Sequence, residues 1–164
     1  MNDKIKESFD FSCVPPIWQL CFCEGCPQHE ECLRFLAGQH VPDTMAWGPA
    51  IYPSAYRNGS CKYFKEIRMI KAAYGFDTLF KEVKQKDYSV LRNQIKRYLG
   101  GHGTYYRYHS GKRLLTPEQQ QWILDLFNEY GYTDGLAFDA YRDVIDFSWG
   151  ALPAPGSDAT KHRE

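Results

Sequence analysis

At 164 residues, with 43% hydrophobic and 16% aromatic side chains, the chain is long enough for one ordinary domain, or one domain with a small appended module, and too apolar for a disordered protein. Its 20 basic and 20 acidic residues cancel, which excludes a protein that coats nucleic acid through bulk charge. Met1 to Asp10 alternates acids, lysines and polar residues with no apolar run behind it, so neither a secretory signal nor a membrane span is expected there, and the expected setting is a reducing cytoplasm without a membrane partner.

Residues 1–10 read as a flexible N-terminus. Residues 11–61 are rich in Cys, Pro and Gly, and Pro15, Pro16, Pro27, Pro42, Pro49 and Pro53 forbid long regular elements. Within them one helix is predicted over 28–37, where Cys32, Leu33, Phe35 and Leu36 make an apolar stripe and Gly38 supplies a stop. Residues 62–149 carry a predicted strand over 63–70, a helix over 77–83 and a longer helix over 88–99, ended by Gly100, Gly101 and Gly103. Thr104 to His109 alternates aromatic and polar residues, Ser110-Gly111 is a turn, and 112–115 returns, a pattern that predicts a β-hairpin. Thr116-Pro117-Glu118-Gln119 then offers an N-cap, a proline at the first helical position and the glutamine of a capping box. The helix it opens should run to about Tyr130, with Trp122, Ile123, Leu126 and Phe127 on one face and Gly131 ending it. A short helix over 138–144 and an aromatic end at Phe147 and Trp149 close the core, and 150–164 reads as a loose tail. The expected fold class is α+β and mainly helical: an N-terminal loop-rich cysteine module packed on a helix, β-hairpin and helix core of winged-helix-like order.

The strongest chemical signal is Cys13-x7-Cys21-x-Cys23-x2-Cys26-x5-Cys32, followed by Cys61. A Cys-x2-Cys pair lets two thiolates converge on one ion across a tight turn, and Gly25 and Pro27 provide the bend. In a reducing compartment clustered cysteines more often bind metal or do redox work than form structural disulfides. Tetrahedral coordination wants four sulfurs, and the candidate ligands are Cys23, Cys26, Cys32 and Cys61, with Cys13, Cys21 and His29 in reserve. Zinc is the first occupant. An iron–sulfur cluster is the alternative, compatible with the Cys26-Pro27 step although the repeated ferredoxin spacing is absent. The bland alternative is unmetallated thiols packed as small hydrophobes.

Charge is unevenly distributed. From Lys81 to Arg113 nine basic residues face two acids, and from Pro117 to Trp149 seven acids face only Arg142. The two blocks could simply neutralise each other. A winged-helix nucleic-acid binder would use the basic block instead, with Arg92, Asn93, Lys96 and Arg97 on a recognition helix, and Arg107, Lys112 and Arg113 on the wing. His109 would join the wing, and Tyr105, Tyr106 and Tyr108 would offer stacking. Leu91, Ile95 and Leu99 would then face the core.

No catalytic set emerges. Gly100-Gly101-His102-Gly103 follows a helix, so it is a turn and not a phosphate cradle. Asp139, Asp143 and Asp146 fall at helix-like spacing but lack a calcium-loop pattern and read as a solvated acidic face. No serine, cysteine or lysine nucleophile has a base at a nameable spacing.

Cys21-x-Cys23-x2-Cys26-Pro27, the Gly-Ser-Cys-Lys-Tyr-Phe run from Gly59 to Phe64, the Gly-Thr-Tyr-Tyr-Arg-Tyr run from Gly103 to Tyr108 and the Leu-Thr-Pro-Glu-Gln-Gln run from Leu115 to Gln120 carry a resemblance. In these motifs the chain, from about Cys13 to Trp149, resembles a family of small uncharacterised cysteine-rich bacterial proteins. The resemblance implies a bacterial, cytosolic protein; it brings no activity, cofactor or catalytic residue. The resulting expectation is a metal-binding protein without evident enzymatic machinery that binds nucleic acid or regulates through the basic helix and hairpin. The alternatives are a small iron–sulfur redox or sensor protein, and an adaptor whose charged blocks dock another protein.

Overall fold

A computed structural model describes residues 2–148; Trp149 and the expected tail lie outside the described residues. The fold is α+β and divides into two compact units. The first runs to Arg68 and takes in the chain again from Asp146, and the second is Met69–Ile145.

In the first unit, helix α1 (Asn2–Glu7) stands where a flexible terminus is expected. Ile5 and Phe9 are buried, and the Phe9 ring lies 5.1 Å from that of His40, so two apolar residues in a polar stretch suffice to anchor it. A single turn of 3-10 helix at Phe11–Cys13 follows, capped by the Asp10 carboxylate, which accepts from the Ser12 amide and hydroxyl. Strand β1 (Leu20–Cys21) pairs in parallel with β2 (Ala50–Ile51). Strands β3 (Tyr56–Arg57) and β4 (Ser60–Cys61) form a hairpin around Asn58-Gly59, both at positive φ as a two-residue turn of that kind requires.

The single helix expected over 28–37 is two pieces: a 3-10 turn at His29–Glu31 and α2 (Leu33–Gln39). The break has a backbone cause. The Leu33 amide donates to Lys65 O at 2.7 Å and Ile67 donates to Glu31 O at 3.2 Å, which pulls Cys32 into an extended conformation between them. The same pairing consumes residues that were expected to start a strand at 63; the strand begins only at Met69. Gly38, expected to stop the helix, lies inside it, because a Cβ there would meet the carbonyl oxygen of Cys21 at 2.2 Å. It is a close-approach glycine that seats α2 on β1.

The second unit pairs β5 (Met69–Tyr74) antiparallel with β6 (Ala140–Ile145), Ala72 opposite Arg142. Between them come α3 (Asp77–Phe80), α4 (Gln85–Tyr98), α5 (His102–His109) and α6 (Pro117–Glu129). The core is made by Phe76, Leu79, Leu91, Ile95, Leu115, Ile123 and Phe127, with Leu99 also buried. Helix α6 has the expected cap: Thr116 Oγ1 accepts from the Gln119 amide at 3.3 Å, and the Gln119 side chain accepts from the Thr116 amide at 3.0 Å.

Two expected elements are replaced. The hairpin over 104–115, and with it the wing, is absent: 102–109 is the helix α5. Tyr105 and Tyr108, three apart, are both buried, and the Tyr105 ring stacks on Phe76 at 4.7 Å, so helical spacing decides which tyrosines go inside. The return segment pairs elsewhere, Leu115 exchanging both backbone hydrogen bonds with Ala73. The helix expected over 138–144 is β6, because β5 presents a long edge that 140–145 completes in register.

Candidate metal centre

The cysteine loop is a chain of short turns. Cys26 N donates to Cys23 O at 3.3 Å, His29 N to Cys26 O at 3.1 Å and Cys32 N to His29 O at 3.1 Å, so Cys23, Cys26 and Cys32 lie on consecutive tight turns that lead into α2. Cys21 is on β1, held against α2 by the Gly38 contact, and Cys61 is on β4. All six cysteines are thiols; Cys32 is buried, Cys21, Cys23, Cys26 and Cys61 are half-buried, and Cys13 is exposed.

Arg34 connects these pieces. Its side chain is buried, 2% exposed, and its guanidinium lies 4.4 Å above the Trp18 ring. Nε donates to Tyr63 O at 2.8 Å, two residues beyond Cys61, and one Nη donates to Gln19 O at 2.8 Å, two residues before Cys21. Arg34 itself follows Cys32 by two. Among the described residues no carboxylate pairs with this cation. Burial pulls its pKa down, and the negative charge available to oppose that comes from Cys32, Cys61 and Cys21, with Tyr63 after them. A buried charge without a counter-charge is among the costliest groups a fold can carry.

Burial pushes the Cys21 thiol up, and nearby Cys32, Cys23 and Cys26 push it further, since neighbouring thiolates repel. The sulfurs are gathered but not closed. Thiolates around one zinc stand roughly 4 Å apart, whereas among the described residues the group of three or more ligand atoms within 4.8 Å of one another is Asp77, His109 and Asp139. Two buried polar atoms of this region, Gln28 Oε1 and Trp18 Nε1, have no hydrogen-bond partner among the described residues. Thiols are soft donors, but among the described residues no three of them converge within 4.8 Å, so the loop 21–26 would have to tighten to bring them around one ion. His29 donates Nδ1–H to Cys26 O at 2.6 Å, which orients the ring and leaves Nε2 beside Glu30 at 3.2 Å. Cys13 donates its thiol to Asp10 O at 2.9 Å, and burial followed by the Asp10 charge pushes its pKa up.

Asp77, His109 and Asp139, in the second unit, form a group that the sequence spacing does not reveal, because three separate elements bring it together. Its hydrogen bonds explain it without an ion. Asp139 accepts from the Thr78 and Asp77 amides at 2.7 and 3.1 Å, capping α3 from across the unit. Burial works against its charge, but these bonds outweigh it and hold the carboxyl below its usual range. His109 Nδ1 accepts from the Phe76 amide at 3.4 Å, so in a neutral ring Nε2 carries the proton toward Asp77 at 3.8 Å and has no lone pair for a metal. The clasp needs glycine at 75: φ is +80° there and a Cβ would lie 2.2 Å from Asp139 Oδ2. Gly75→Ala is expected to lower stability by about 2–4 kcal/mol, the sum of left-handed strain and a lost cap. Gly59→Ala, at φ +81° with nothing within 4 Å, carries the strain alone and should cost about 1–2 kcal/mol. Urea titration of the two variants measures the difference.

The residues expected to face nucleic acid are spread over two helices and a turn. Arg92 and Lys96 are half-buried, each within 6 Å of the Tyr105 and Tyr106 rings, and Arg92 also donates to the Tyr106 hydroxyl. Asn93, Arg97, Arg107, Lys112 and Arg113 are exposed. Asp143 is exposed as expected, whereas Asp146, grouped with it on a solvated acidic face, is 1% exposed. Among the described residues no helix is long and apolar enough to cross a membrane.

The chain belongs to a family of unknown function, DUF6078, whose model matches residues 1–147. Neither the curated proteins nor the solved structures contain a significant match to the chain.

Proposed function

We propose that this member of the family is a metal-binding protein whose first unit closes around a thiolate-bound ion, zinc being the occupant that suits the donors first. The ligands are drawn from Cys23, Cys26, Cys32 and Cys61, with Cys21 as the neighbour able to take a fourth place. The observation that carries the reading is Arg34, a buried guanidinium bonded to the backbone on either side of the cysteine positions 21 and 61 and, among the described residues, without a carboxylate partner. Four thiolates on a divalent cation leave a net charge of about −2, and a buried cation beside them lowers the energy of both. Without thiolates Arg34 is an isolated charge; with a metal centre it is half of an ion pair.

The small core supports the same reading. Among the described residues the buried apolar side chains of the first unit are Ile5, Phe9, Trp18, Leu20, Cys32, Leu33, Leu36, Ala37 and Ile67, a modest core for so much loop. Metal–thiolate bonds supply folding free energy where apolar burial is scarce. The role of the ion on this reading is structural, and Arg34 positions it.

Elemental analysis and an absorption spectrum of protein purified without oxygen test the proposal. About one zinc per chain and no visible absorption is the expected result. Iron with matching sulfide and a broad visible band would replace the structural role by an iron–sulfur redox or sensor centre. Metal-free protein that is fully folded would overturn both.

A further inference from the structure

From Tyr88 to Thr116 the chain carries Arg92, Lys96, Arg97, Arg107, Lys112 and Arg113 and no Asp or Glu. The acidic block that follows pairs with none of them: among the described residues none of the six is in an ion pair with a carboxylate. Of those carboxylates, Asp139 is taken by the Asp77 and Thr78 amides, and Asp125 by Gln121 Nε2 at 2.8 Å. Like charges gathered on two packed helices and the turn after them repel one another, and a polyanion relieves that repulsion.

The i, i+4 spacing of α4 sorts its side chains into rows. Arg92 and Lys96 face α5, at 5.7 and 5.8 Å from the centre of the Tyr106 ring, and Arg92 also donates to the Tyr106 hydroxyl. Gln94 and Tyr98 face α6. Gln94 Nε2 donates to the Tyr130 hydroxyl at 2.8 Å, and the Tyr98 ring stacks on Trp122 with centroids 3.8 Å apart and planes 7° from parallel. Asn93 and Arg97 fall between the two rows, on the side of α4 away from the buried Leu91 and Ile95, and both are exposed. Helix α4 therefore has a ring on each flank with a cation between them. Tyr106, Tyr98 and Trp122 are 39%, 39% and 36% exposed, flat apolar surface left in water beside unpaired charge.

We propose that this face of the second unit binds single-stranded nucleic acid. The cations of α4, α5 and the following turn take the phosphates, and unstacked bases lie on Tyr106 and extend the Tyr98–Trp122 stack. A duplex keeps its bases inside and reaches the cations without the rings. The wing that would follow a duplex groove is replaced by α5. The surface contains no thiol and lies in the other unit, so it stands or falls separately from the metal reading.

Fluorescence anisotropy of the purified full chain with a labelled single-stranded RNA oligonucleotide, with its duplex and with an oligoglutamate peptide tests it. Saturable binding of the single strand is expected, with the duplex and the peptide each at least about tenfold weaker. The double variant R97A/R113A, both positions exposed, should flatten the plot of log affinity against log salt by about 1.4, two phosphate contacts at about 0.7 each. Trp122→Leu, its folding checked by thermal melt, should weaken the single strand at least about fivefold and leave the salt slope unchanged. No saturable binding, the duplex or the peptide binding as tightly as the single strand, or either variant binding like the parent would each overturn the proposal.

Discussion

Replacing Cys32 by serine, or stripping the protein with a strong chelator, is expected to melt the first unit while the second stays folded. Cys32 is the buried thiol, it opens α2, and its neighbours Glu31 and Leu33 are tied by backbone hydrogen bonds to Ile67 and Lys65. Losing an ion there releases the loop 21–26, the start of α2 and the buried charge of Arg34 together. Structural zinc in small modules supplies on the order of 10 kcal/mol, far more than the modest apolar burial of this unit can replace. The second unit has a core of its own, built on Leu91, Ile95, Ile123 and Phe127, each fully enclosed. Amide exchange should therefore collapse to free-chain rates across 15–67 and remain slow in α4 and α6. A drop in the first melting transition of more than about 10 °C is expected, equivalent to a few kcal/mol for a unit of this size. Cys13→Ser is the control: that thiol is exposed and bonded to its own turn, so the variant should match the parent. Identical melts for the Cys32 variant and the parent would sink the metal reading.

Asp146→Asn should cost about 3–5 kcal/mol, the penalty for removing one partner from a buried ion cluster. The Asp146 carboxylate receives Lys65 Nζ at 2.9 Å, Arg68 Nε at 2.7 Å and the Ser148 amide at 2.9 Å. The Lys65 side chain is only 12% exposed, so the variant leaves an ammonium out of water without a counter-charge. Burial alone would raise the Asp146 pKa; the bonds from Ser148, Lys65 and Arg68 overcome it and hold the carboxyl far below the ordinary range. A depressed folded-state pKa fixes the sign of the pH dependence. The contribution is complete above the unfolded carboxylate value of about 4 and fades as pH falls below it. Urea midpoints of parent and variant should therefore differ widely at pH 7, with the gap narrowing progressively below about pH 4 and closing only as pH falls through the depressed folded-state value. A gap independent of pH would mean that packing, not charge, accounts for the loss.

The cluster also shows how the chain end is used. Asp146 N donates to Arg68 O at 3.0 Å, and Phe147 packs edge-on against Trp18 at 5.0 Å. The first unit is thus completed by residues that arrive about eighty positions later, a feature no local pattern announces.

What could be read from the residues alone are the features set by local chemistry. The capping box at Thr116 to Gln119 and the apolar face of α6 are written in consecutive residues, and both are present. Helix α4 was legible in the same way, with Leu91, Ile95 and Leu99 inside. The Asn58-Gly59 turn is of the same kind, since Asn-Gly is the dipeptide that two-residue hairpin turns favour and both residues take positive φ. Tertiary structure decided the rest. Residues 104–109 alternate like a strand, yet helix α5 wins because Phe76 offers Tyr105 a stacking surface and Ala73 takes Leu115 as its pairing partner. Residues 140–145 become β6 because β5 needs a partner, an interaction between segments some seventy residues apart. The sulfur-rich loop could be recognised from spacing, but the cation beside it could not. Arg34 looks like any surface arginine on an amphipathic helix until the fold buries it over Trp18 with its donors turned to the backbone flanking Cys21 and Cys61. Patterns of hydrophobicity and capping are local and survive in the sequence; the burial of a charge is a property of everything that surrounds it.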